Sequence, residues 1–538
     1  MFFVLASYLQ SIFTIDNNIE VSMLKEDQDT TSVLNNFSAD NNSQAFEKSL
    51  EIEVKHNSTA YLFDQLKSEF FNEMLDDETI CDDASKKIES WLCQHSLDEL
   101  KALNHQAKEH FLYQGITFAV YGEAEGTDRI IPFDLIPRVI AKQQWNKMEQ
   151  GCAQRVRALN LFLDDIYHDQ AILKENIIPA AQVLSHEAYQ PLMYKHGLKG
   201  KIYSQISGID IVRDNKGDFY VLEDNLRTPS GVSYMLESRK ISEKLMPDLC
   251  QKNQLLGIEQ YPKLLREILE ENAYVDNPFI VVLTPGRYNS AFYEHCFLAR
   301  EMDVPLVTGS DLFVENNKVY VKTVWGRKQV DVIYKRLDDI FIDPLCFKPD
   351  STLGVPGLMS AYLSHNVVIA NAPGTGVADD KSIYPYVDQM IEFYLGEKPI
   401  LHNVPTYQCR DHDQLDYVVK NLDQLVVKEA QGSGGYGMLI GPQASEQEID
   451  AFKIKLLKHP HHYIAQPTLA LSVAPTLTET GLGERHIDLR PFVLSSPFRT
   501  EIVPGGLTRV AMQEGSLVVN SSQGGGIKDT WIIDTLHS

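Results

Sequence analysis

The stretch "VVKEAQGSGGYGM", residues 426–438, constrains this chain more than any other. A β-branched strand delivers Lys428, and a loop containing Gly432, Ser433, Gly434, Gly435 and Gly437 follows. Glycines reach positive φ and let backbone N–H groups come close to a phosphate. The lysine ammonium supplies a point charge for phosphate oxygens. The spacing is not GxxxxGK[ST], which excludes a Walker loop. Nor is it GxGxxG opening a helix. An ordinary glycine-rich hairpin is the competing reading.

A second stretch offers the complement. In "FYVLEDNLRTPSGVSY", residues 219–234, a short apolar strand ends in Glu223-Asp224-Asn225, then Arg227. Glu223 and Asn225 lie two apart and share one strand face. Residues 202–225 read as a β-hairpin turning at Asn215-Lys216-Gly217, and a two-residue turn at Asn215-Lys216 puts Asp210 diagonal to Glu223 on that face. A bulge at Gly217 would shift the parity by one. Two acids and an amide form an oxygen set suited to Mg²⁺ held against phosphates. An acidic surface hairpin is the alternative.

Weaker signals accompany these two. "YIAQPTL" (463–469) is a strand whose end, from Gln466 to Leu469, can offer backbone groups to a base edge. "GVADDKSIYPYV" (376–387) places Lys381 in the first turn of a helix, where a bound anion would offset its conflict with the dipole. "NSSQGGGIKDTW" (520–531) is a second glycine loop, with Asn520, Ser521 and Gln523 as polar contacts. Arg227, Arg490 and Arg509 are candidates for bidentate recognition of carboxylate or phosphate. Each of these has a bland counterpart as a turn, a surface lysine or a core-pairing arginine.

The 538 residues suggest about two to four domains. A net charge of −25 disfavours nucleic acid or an anionic membrane surface as the main partner. Seven scattered cysteines without CxxC or CxH spacing argue against a zinc site or a disulfide framework, and fit a reducing cytoplasm. The opening "MFFVLASYLQSIFTIDNN" lacks the basic start and the cleavage site of a signal peptide. It reads as a frayed extension, with Met23 as an alternative start. Residues 16–59 have the polar composition of a disordered segment.

From 60 to 112 the apolar spacing is helical, and a long amphipathic helix is predicted from Ala141 to Tyr167. "FIVVLT" (279–284) opens an α/β unit of strand, glycine turn, helix and strand. The last 130 residues are strand-rich and glycine-rich. The predicted organisation is an extension over 1–59, a helical region plus the acidic hairpin over 60–275, an α/β domain over 276–400, and a lid with nucleotide-binding core over 401–538.

Together these motifs resemble the ATP-grasp superfamily. Ordinary members place the lysine and glycine lid first and the Glu-x-Asn strand last. Here the order is inverted, which is similar to the circularly permuted branch that includes glutathionylspermidine synthetases. "VLEDNLRTPSGVSYMLESR", "GVADDKSIYPYV", "VVKEAQGSGGYGMLIGP", "RHIDLRPFVL" and "NSSQGGGIKDTW" look most like the type 2 proteins of that group.

The resemblance implies a mixed α/β (α+β) fold with a pre-ATP-grasp-like α/β domain and a helical N-terminal region. It implies ATP and Mg²⁺ as cofactors, with Lys381, Lys428 and the glycines on the phosphates. Gln466 and Leu469 would flank the adenine and ribose, and Asp210, Glu223 and Asn225 would hold the metal. Arg227, Arg490 and Arg509 would serve the reacting groups. The implied activity joins a small-molecule or peptide carboxylate to an amine or thiol through an acyl phosphate. The alternatives are a nucleotide-binding partner subunit and a kinase-like phosphotransferase. No amidase half and no substrate motifs of the glutathionylspermidine synthetases are found, so the substrates do not carry over.

Overall fold

The computed structural model describes Leu66 and residues 69–75, 82–119, 128–432, 437–520 and 524–534. The expected extension over 1–59 lies outside them, as do Ser433, Gly434, Gly435, Ser521 and Gln523.

Four sequence-distant segments supply one central sheet of ten strands. Its main path runs His402–Asn403, Phe219–Asn225, Ile206–Arg213, Gly481–Arg490, Leu507–Val510, Gly526–Ile533, Phe133–Ala141. Phe133–Ala141 and Gly526–Ile533 are buried at every position, as strands covered on both faces require. The helix Lys142–Tyr167 follows the first of these directly, close to the predicted bounds. Its apolar stripe of Trp145, Met148, Cys152 and Val156 packs with Ile209, Ile211 and Val221 of the acidic hairpin. That hairpin is thereby mounted on the core rather than on the surface.

A second, four-stranded sheet is parallel throughout, in the order Val368–Ala370, Val332–Lys335, Ile280–Leu283, Leu306–Val307. The helix Phe292–Glu301 makes one of its crossovers. A third sheet, antiparallel and also four-stranded, carries the lid loop. It holds Leu425–Glu429 beside Tyr463–Pro467, over a small separate core including Val418, Val427, Leu439 and Leu456.

Three expectations change. The strand-rich C-terminal region also contains the helices His412–Lys420 and Glu446–Lys458. The second is framed by a Ser445/Glu448 capping box and by Lys455 and Lys458 in its last turn. Lys381 is not in the first turn of an α-helix. It sits in a turn between the short 3₁₀ segments Thr375–Val377 and Tyr384–Tyr386, and the helix Val387–Leu395 begins later. Finally, Gly217 closes the hairpin turn at φ +81°. The bulge falls instead between Asp210 and Ile211 opposite Leu222.

Candidate nucleotide site

The bulge decides what the acidic hairpin can present. It sets Asp210 directly across from Glu223, and Gly208 across from Asn225. Asp210 is not an open ligand. Arg490 grips it through Nε and Nη2 at 2.5 and 2.8 Å, and Arg509 Nη2 adds a third bond at 2.7 Å. Burial would raise the Asp210 carboxyl, but the two guanidiniums outweigh it and hold it at about 2. Arg509 also pairs with Asp488 and donates to Asn520 Oδ1 at 3.2 Å. The result is a charge-compensated floor of two carboxylates and two guanidiniums. Asp488 was not singled out in the sequence, although its position two before Arg490 in "DLRPFV" places both on one strand face.

Glu223 is open on one side. Lys381 Nζ lies 2.5 Å from its Oε1 and also donates to the Gly432 carbonyl at 2.6 Å. The lysine thus ties the acidic strand to the start of the lid loop. Asn225 donates to the Gly208 carbonyl at 3.3 Å, which leaves its amide oxygen for a ligand. Among the described residues no three His, Cys, Asp or Glu side chains are grouped to hold a metal. Glu223 with Asn225 is a carboxylate–amide pair, sufficient for Mg²⁺ when phosphates and water complete the shell.

Lys428 donates to Gln466 Oε1 at 2.8 Å, and Gln466 is in turn anchored on Thr406. Gly437 is at φ +71°, and a Cβ there would come within 2.9 Å of Glu429 Oε1. The loop therefore needs glycine at that position. Leu469 is half-buried and lines neither cavity described below.

Burial lowers the Lys428 ammonium to about 8, with Lys381 adding to the drop and Glu223 and Asp210 opposing it. ATP affinity is therefore expected to fall by roughly 10-fold from pH 7 to pH 9 as that charge is lost. Lys428→Arg should remove the dependence, because a guanidinium stays charged throughout. Stability moves the other way. The unfolded chain binds the extra proton between about 8 and the ordinary lysine value, so this residue's contribution to stability rises with pH across that window. Equilibrium binding and thermal melts across pH check both signs.

Two cavities meet at this point. The first, about 150 Å³, is lined by Asp210, Lys428, Asp488, Arg490, Arg509 and the 517–520 segment. The second, about 420 Å³, is lined by Arg227, Arg336, Asp338, Asp379 and His186 among others. Glu223, Asn225, Lys381 and Gly432 border both. Arg227 does not face Asp224. Its Nε binds Asp379 at 2.6 Å and its Nη1 lies 3.4 Å from Asp338. Asp224 points to the other face of the strand, where Arg155 clasps it at 2.6 and 2.7 Å. The second cavity also contains a His186–Asp380 pair at 2.5 Å that nothing in the local sequence announces. Its partners are 194 residues apart.

Residues 137–511 match the circularly permuted ATP-grasp type 2 family. The chain belongs to that family. Membership of the circularly permuted ATP-grasp group makes it an ATP-dependent ligase in the general sense.

An uncharacterised protein of Synechocystis is 48% identical over 448 residues, covering 82% of this chain and 92% of that protein. An uncharacterised Mycobacterium tuberculosis protein is 46% identical, covering 86% of this chain and 84% of its own length. A Frankia alni protein named putative glutamate–cysteine ligase is 41% identical over 78% of this chain, but the match spans only 48% of that protein. Among solved structures, a glutathione synthetase-like effector of Globodera pallida in apo form superposes with a TM-score of 0.53 at 12% identity. That match covers 82% of this chain and 98% of the effector, and it supports the ATP-grasp fold.

Among the described residues Cys93, Cys152, Cys250, Cys296, Cys346 and Cys409 carry free thiols. Among the described residues no helix is long and apolar enough to cross a membrane.

Proposed function

We propose that this ATP-grasp protein activates a carboxylate with ATP and transfers the acyl group to an amine. The observation that carries the reading is the shared wall. Glu223, Asn225, Lys381 and Gly432 border a small cavity with the phosphate-type lysines and a larger one open to a second molecule. A γ-phosphoryl group held at that wall is within reach of both.

In the first step a substrate carboxylate oxygen attacks the γ-phosphorus, and ADP leaves. In the second the amine nitrogen attacks the acyl carbon, the C–O bond to phosphate breaks, and the amine sheds a proton. Phosphoryl transfer asks the protein mainly for position and charge neutralisation. Lys428 and Lys381 supply positive charge beside Gly432, which borders both cavities. Glu223 and Asn225 would hold Mg²⁺, which when bound neutralises phosphate charge and fixes its geometry. Asp210, already saturated by Arg490 and Arg509, keeps those arginines rigid at the cavity floor. The name of the Frankia relative agrees with this reaction class and no more.

The test is ADP and phosphate release by the full chain with ATP, Mg²⁺ and a panel of acids and amines. Release of both in equal amounts, dependent on the amine, is expected. Stable phosphorylation of one substrate without an amine requirement would make it a phosphotransferase. ATP binding with no ADP across the panel would make it a binding subunit.

A further inference from the structure

The larger cavity lies where an open α/β sheet takes ligands. In the parallel sheet the chain steps from Ile280–Leu283 to Leu306–Val307 on one side, then returns to place Val332–Lys335 on the other. The strand order therefore reverses between Ile280–Leu283 and Val332–Lys335, and ligands favour the crevice at such a switch point beyond the strands' carboxyl ends. The segments leaving those two strands bring Asn289, and Arg336 with Asp338, into the cavity wall.

Three strongly basic side chains line this cavity; one belongs to the wall shared with the phosphate cavity and one is held within the protein. Lys381 is held by Glu223 and the Gly432 carbonyl. Arg336 is buried and bound to Glu294, Ser230 and the Pro229 carbonyl. Arg227 differs. Its side chain is 37% exposed, and Asp379 fixes it from behind at 2.6 Å through Nε. Asp379 also accepts from the backbone N–H groups of Leu226 and Arg227. Among the described residues no partner is placed on Arg227 Nη2. The guanidinium is thus aimed in advance with part of its donor edge unused. It borders the larger cavity and not the one with Lys428, so it addresses a substrate rather than the nucleotide.

Acids stand in the same wall. Asp338 is 43% exposed and reaches Arg227 only at 3.4 Å. Glu187 is exposed and has no partner among the described residues. A purely anionic molecule would meet these two carboxylates, and a purely cationic one would meet Arg227. A zwitterion satisfies both. We infer that the larger cavity holds an amino-acid-type substrate, with Arg227 gripping a carboxylate that does not react and Asp338 with Glu187 facing its ammonium. This rests on the ligase reading above and names the class of one of its two substrates.

The experiment measures ADP release by the full chain with ATP, Mg²⁺ and amino acids singly and in pairs. Each is then replaced by its carboxamide or its decarboxylated amine. The expected result is turnover with at least one amino acid, lost in the carboxamide and in the amine. In Arg227→Gln the KM for that amino acid should rise by roughly 10- to 100-fold, the range for losing a charge-assisted hydrogen bond, with the KM for ATP unchanged. Arg227→Lys should recover only part of it. The inference is overturned if carboxamides or decarboxylated amines serve as well as the amino acids, or if Arg227→Gln leaves that KM unmoved. A melting curve and ATP binding report whether the variant folds, and the carboxamide comparison decides the matter without any variant. If the unaltered chain binds ATP but releases no ADP with any panel member, the ligase reading itself fails and this inference falls with it. Turnover with carboxylate-free amines alone overturns only the inference.

Discussion

Glu223→Gln is expected to slow ATP turnover by about 100-fold or more if Glu223 is the metal ligand proposed above, because such a ligand contributes several kcal/mol of charge stabilisation and each 1.36 kcal/mol is tenfold. The side chain keeps its size and can still accept from Lys381, so the melting temperature should stay within a few degrees. The Mg²⁺ concentration for half-maximal rate should rise. Asp210→Asn makes the contrast. Its carboxylate is enclosed by Arg490 and Arg509, so its loss should lower the melting temperature while leaving the Mg²⁺ requirement in place. Equal shifts of the Mg²⁺ requirement in both variants would return Asp210 to the metal shell. An unaltered requirement in Glu223→Gln would remove Glu223 from it.

The second large effect is structural and lies one residue further along the same strand. Arg155 and Asp224 are each 1% exposed and joined by two bonds, and Arg155 also donates to Asn403 at 2.7 Å. Arg155→Ala strands a carboxylate in the core. Such a break costs about 3–5 kcal/mol, a large part of a typical folding free energy of about 5–15 kcal/mol. Insoluble expression or a much lowered melting temperature is expected. Replacing both partners by apolar residues, as in Arg155→Met with Asp224→Leu, should recover much of the loss, since the desolvation penalty goes with the charges. A cost under about 1 kcal/mol in the single variant would show that solvent reaches the pair.

These two residues also mark how far the sequence can be read. Glu223 and Asn225 were legible because two-residue spacing on a strand fixes a shared face. The strand under Lys428 and the positive φ of Gly437 were legible because loop chemistry is local. The parity of Asp210 was not, since the bulge sits at Leu222 and nothing in "FYVLED" marks it. The partners of Arg227 and Asp224 were not legible either. Asp379 and Arg155 lie 152 and 69 residues away, and only the folded chain brings them close. Lys381 was found, but on the wrong local structure: its use comes from Glu223 and Gly432 rather than from a helix dipole. The parallel sheet was legible strand by strand, but its order, which creates the switch point, was not.

The central sheet imposes a timetable on biosynthesis. The acidic hairpin leaves the ribosome some two hundred residues before the lid lysine, and the floor arginines follow later still. Gly526–Ile533 then inserts between Leu507–Val510 and Phe133–Ala141, joining the last described strand to the first strand of this sheet. The hairpin can dock early on Lys142–Tyr167, but Asp210 and the open edge of Ile206–Arg213 wait for their partners until nearly the whole chain is made. Long-range pairing of this kind is slow and exposes sticky edges meanwhile. A nascent chain stopped before residue 526 should bind no nucleotide and should depend on chaperones, although it already carries every lysine and acid of the site.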